Sequence, residues 1–95
     1  MNVRDFAIVV NPHDLYYGCK VQIVAVQSDF DGRITDYTAD LLKESRENET
    51  IMCELMKKCP KLLKDREVKD YPAIDLHYFS SQCWRQKIYS QMQLL

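Results

Sequence analysis

At Ser28-Asp29-Phe30-Asp31-Gly32 the apolar residues of this chain stop alternating and begin to recur at a helical period. This is the strongest turn signal in the sequence, because aspartates bond nearby backbone N–H groups and glycine accepts a left-handed backbone. Two extended runs precede it. Residues 6–10 are rich in β-branched side chains and end at Asn11-Pro12, whose proline cannot continue a ladder. Residues 19–27 form the second run, with Val21, Ile23 and Ala25 on one face. Lys20, Gln22, Val24 and Val26 form the other face, which begins polar and finishes apolar. One end of this strand is therefore expected to be covered on both sides. The link of eight residues from Asn11 to Gly18 is compatible with antiparallel pairing.

Beyond the turn, Ile34, Tyr37, Leu41 and Leu42 follow a helical spacing, as do Met52, Leu55, Met56 and Cys59. Residues 43–50 contain nothing apolar, which favours two helices meeting near Asn48 over one long helix. Pro60 closes the segment. Residues 64–69 are charge-rich and expected to be exposed. Ile74, Leu76 and Tyr78 alternate with Asp75, His77 and Phe79 as a third strand. Ser80 or Ser81 is placed to cap a final helix, with Trp84, Ile88, Met92 and Leu95 near one face. The order β-β-α-α-β-α gives the expected fold class. It is α+β: a three-stranded, mainly antiparallel sheet with helices packed on one face, in a single domain over residues 1–95.

Thirteen basic and fourteen acidic residues leave a net charge of −1. That balance speaks against a general phosphate binder and against a polyanion mimic. The apolar run near the start is too short for a signal-peptide core, and nothing approaches the ~20 apolar residues that span a bilayer. The expectation is a cytoplasmic protein with no membrane partner, whose Cys19, Cys53, Cys59 and Cys83 remain reduced. Asn48-Glu49-Thr50 then matches a glycosylation acceptor by chance.

Catalytic and metal chemistry find little support. Cys53 and Cys59 stand six apart, as do His77 and Cys83, which is wider than zinc knuckles use. Aligning Gly32 with the glycine of a calcium loop places Gln27 and Thr38 where acids are required, so Asp29, Asp31 and Asp36 are read as turn formers. Neither His13 nor His77 is accompanied by an orienting group for a cysteine nucleophile. Gly18 and Gly32 are isolated, so there is no phosphate-cradling loop. No cofactor, metal or catalytic residue is expected, and the chain reads as a non-enzyme.

Recognition is the stronger signal. Arg85, Tyr89, Gln82 and Gln86 lie off the apolar stripe of the final helix, and Tyr16 and Tyr17 form an aromatic pair in the first connection. Arginine and tyrosine dominate binding hot spots. The expected function is a small protein-binding module that occupies a surface of a larger partner. It would act as an inhibitor or regulator of the phage- or plasmid-type, a viral accessory protein. The alternative is a nucleic-acid-associated regulator using the C-terminal helix, where Arg85 and Lys87 stand without an acid after residue 80, as a dimer. A homodimer through a sheet edge or the terminal helix fits either reading.

Overall fold

The two β-branched runs pair with each other. In the computed structural model, which describes residues 1–60 and 67–79, β1 (Phe6–Val9) lies antiparallel to β2 (Lys20–Ser28), with Ala7 opposite Val21 and Ile8 opposite Lys20. The connection between them is built from short turns. Asn11 Oδ1 accepts from the His13 N–H at 2.9 Å, and Asp14 Oδ1 accepts from the Tyr16 N–H at 2.9 Å. Gly18 closes it at φ +85°, where an added Cβ would lie 3.2 Å from Ile51 Cδ1. Only glycine meets both demands.

The turn at residues 28–32 leads into a strand, not a helix. β3 (Ile34–Leu41) returns antiparallel along β2. Ile34, Tyr37 and Leu41 fit a helical period, yet Tyr37, Ala39 and Leu41 also alternate, and these three are buried. Thr35, Asp36, Thr38 and Asp40 between them are poor helix formers, and β2 supplies a ladder through a tight turn. β4 (Val68–Pro72) pairs antiparallel with β3, and β5 (Leu76–Tyr78) with β1. The sheet has five strands in the order β4-β3-β2-β1-β5. The three-stranded sheet with several packed helices is thus corrected to a five-stranded antiparallel sheet carrying one α-helix among the described residues.

That helix is α1 (Glu49–Lys58), entered through a 3-10 turn at Arg46–Asn48. Met52 and Leu55 pack beneath one sheet face against Ala7, Val9, Val21 and Ile23. Tyr16 and Cys19 from the first connection complete the same core. Ile8, 2% exposed, points to the opposite face, which it shares with Lys20. There Lys20 Nζ lies 4.4 Å from the Phe6 ring centre, 4.5 Å from that of Phe79 and 3.3 Å from Glu47 Oε1. Cation–π attraction and the ion pair let the lysine stem cover apolar surface.

Asn48 ties the helix to the sheet. It is fully buried; its Oδ1 accepts from the Lys20 N–H at 2.6 Å, and its Nδ2 donates to the Lys20 and Leu42 carbonyls, each at 2.8 Å. The side-chain amide therefore does for Lys20 what a neighbouring strand would do. It also leaves Asn48 unable to serve as a glycosylation acceptor in the folded chain.

Two irregularities shape the β2–β3 hairpin. Ile23 faces Ala39 while Ala25 faces Thr38, so Val24 is an extra residue on β2. Gln27 faces Asp36 while Ser28 faces Ile34, so Thr35 is an extra residue on β3. The first bulge moves Val26 onto the face of Tyr37. Covering on both sides is thus not what gives β2 its apolar end: the alternation itself changes phase.

Candidate functional site

The tip of the β2–β3 hairpin, residues 28–35, runs beyond the rest of the sheet, because β4 accompanies β3 only as far as Asp36. Past Ile23, β2 has no strand neighbour other than β3 among the described residues. At its tip the Asp29 carboxylate orders the turn, with Oδ1 accepting from the Asp31 and Arg33 N–H groups, both at 2.9 Å. Asp29 and Arg33 also join through backbone at 2.9 Å, and Gly32 takes φ +80°. The aspartate-rich turn is therefore satisfied by its own backbone. Phe30 projects from it at 111% relative exposure, with Val26 and Ile34 exposed lower on the arm. An apolar ring held in water by an ordered turn is a candidate anchor for another surface.

A second feature lies near the other end of β3. A groove of about 400 Å³ opens between the loop after β3 and α1. Met52, Cys53 and Met56 line it with Lys43, Arg46 and Glu49, and Glu44 and Ser45 complete the rim. Beside it the Ser45 hydroxyl and Lys20 ammonium hold Glu47, whose pKa is lowered first by the serine hydrogen bond.

A third cluster runs from the surface at Lys69 into the core. Asp14 Oδ2 meets Lys69 Nζ at 2.8 Å, and that ammonium stands 5.0 Å from the centre of the Tyr71 ring. Burial, with the Asp14 carboxylate second, pushes the Cys19 thiol up to about 12. Burial and then Glu67 push Tyr16 up to about 12, and burial also raises Tyr71. These environments favour neutral thiol and phenol, the reverse of what activates a nucleophile.

Of the residues singled out from sequence, Arg85, Tyr89, Gln82 and Gln86 lie outside the described residues, as do Cys83, Trp84 and Lys87. Tyr16 is 2% exposed and its ring belongs to the core, while Tyr17 is half-buried. The two tyrosines are therefore not a paired surface patch, because alternate turns of the connection send one inward. His13 and His77 are both exposed. Among the described residues no group of three His, Cys, Asp or Glu side chains is arranged to hold a metal. No helix among them is long and apolar enough to cross a membrane. Sequence reasoning passed over Phe30 as part of a turn. The available signal was a large apolar residue between two aspartates, where turn chemistry gives it no role.

Cys19, Cys53 and Cys59 are free thiols of contrasting exposure. In a Cys83→Ser background at neutral pH, Cys53 and Cys59 should react promptly with a chromogenic disulfide reagent. Cys19 should react only after denaturant is added, so two rapid equivalents followed by one slow one are expected. Three rapid equivalents would mean that the core opens readily near Cys19.

Comparison with protein-family models, curated proteins and solved structures gave no match to this chain.

Proposed function

We infer that this chain is a small, non-enzymatic protein-binding module that occupies a surface of a larger partner and regulates or inhibits it. The reading rests on Phe30, fully exposed at the tip of a hairpin whose turn is ordered by Asp29. Preorganisation lowers the entropy lost when such a ring is buried in a partner's pocket. The neutral, buried state of Cys19, Tyr16 and Tyr71 fits a core built for stability.

The test is affinity capture from native-cell extract with the wild-type chain and with Phe30→Asp. The variant should melt within a degree or two of wild type, since Phe30 makes no core contact. Proteins retained by wild type should be lost with the variant. If both chains retain the same set, the tip is not the anchor.

A further inference from the structure

We propose that the outer half of β2 is a strand-pairing edge, and that a second copy of the chain pairs with it antiparallel about a two-fold axis at Gln27. The edge is open because the chain turns away from it. β1 would cover it by running straight on past Asp5, but Arg4 takes φ +79°, a left-handed backbone that non-glycine residues rarely adopt. Asn2 fixes that turn: its N–H donates to Asp5 Oδ2 at 2.8 Å, and its carbonyl accepts from the Asp5 N–H at 3.0 Å. Strained backbone clusters where function needs it. Here it leaves Val26, Gln27 and Ser28 exposed, with no strand on that side among the described residues.

The open edge lacks the usual protection. Exposed edges are ordinarily blunted by charged side chains or proline, and residues 21–28 contain neither. The backbone groups also point outward. The Ile23 N–H donates to the Asp5 carbonyl at 2.9 Å, and the Ile23 carbonyl accepts from the Arg4 N–H at 2.8 Å. A residue of β2 whose side chain lies on the core face therefore turns its backbone groups to the β1 side. Val26 shares that face with Tyr37, and Ser28 follows two residues later. Their two N–H and two C=O groups form a self-complementary set. Pairing about Gln27 sets Val26 of each copy opposite Ser28 of the second, and all four groups in each chain are satisfied. The ends match as well. Arg4 closes one end of the open edge, and Asp29 and Asp31 close the other, so antiparallel pairing brings the cation of each copy toward the acids of the second. Asp5 is already engaged by Asn2, and Arg33 stands on the returning limb of the hairpin. The ladder ends at Ser28 and leaves Phe30 outside it.

Sedimentation equilibrium of the full chain should give the mass of two chains. Gln27→Lys and Gln27→Glu should each be monomeric, because like charges would then face each other across the axis. An equimolar mixture of the two should recover the dimer. Val26→Pro removes an outward N–H while sparing the β2–β3 ladder. It should weaken association about 10-fold or more, since two hydrogen bonds are lost per dimer. Phe30→Asp should dimerise as wild type does, which separates this contact from capture of a foreign partner through the tip. A monomeric wild-type chain, or a dimer that the Gln27 and Val26 variants leave intact, overturns the proposal.

Discussion

Asn48→Ala should lower the stability of the chain by about 3–5 kcal/mol, because each buried polar group left unpaired costs roughly 1–3 kcal/mol. The three groups concerned are the Lys20 N–H, the Lys20 carbonyl and the Leu42 carbonyl. Their partner is fully buried, so loss of the side chain leaves a cavity as well as unmet hydrogen bonds. Asn48→Asp separates the two effects. It keeps an acceptor for the Lys20 N–H but turns a carboxylate toward two carbonyl oxygens. This variant should be at least as unstable near neutral pH and recover on acidification, when a protonated carboxyl again donates. Urea unfolding of the three chains at pH 4 and pH 7 measures both effects. A cost below ~1 kcal/mol for Asn48→Ala would show that water replaces the amide.

A second large effect is expected in alkali. A cysteine thiol of ordinary pKa 9.0 and a tyrosine phenol of 10.0 hold their protons to about 12 at Cys19 and Tyr16 in the folded chain. Between pH 9 and 12 the folded state therefore binds more protons than the unfolded state. Stability from these groups is complete below pH 9 and falls as pH rises toward 12. Cys19 alone contributes on the order of 4 kcal/mol to the fall, at ~1.4 kcal/mol per pKa unit. Denaturant midpoints should drop steadily from pH 9 to pH 11, and Cys19→Ala should flatten the early part of the decline. A midpoint independent of pH in that range would show that the thiol ionises without opening the core.

The strands rich in β-branched residues were legible because their preference and their burial agree. β1 buries Ala7, Ile8 and Val9 in succession, β2 buries alternate Val21 and Ile23, and Asn11-Pro12 and the residue 28–32 turn mark where they end. β3 was not legible because Tyr37 and Leu41 satisfy two periods, and small Ala39 gives the decisive alternate position little weight. β4 was hidden for a different reason. It buries only Tyr71, with Val68, Lys69, Asp70 and Pro72 exposed, so an outer strand looks like a charged loop. The helix at Glu49–Lys58 was foreshadowed by Met52 and Leu55, and Asn48 marks its start through a tertiary contact with Lys20. The groove draws on residues from Lys43 to Met56, in a loop and a helix, and no sequence motif marks such a surface.

The two bulges in the β2–β3 hairpin have a consequence for how this protein can change over generations. Residue numbers of facing pairs shift by one at Val24 and shift back at Thr35, so the pairing at Ser28–Ile34 is again in step with that at Ile23–Ala39. Loss of the codon for Val24 or for Thr35 would remove that bulge while leaving the facing pairs on either side of it, and the face each residue occupies, as they are. Loss of both would shorten each strand by one residue while keeping Phe30 on its original side. Length variation in this arm is therefore expected to fall at Val24 and Thr35, where either strand can lose one residue without changing the pairing of its neighbours.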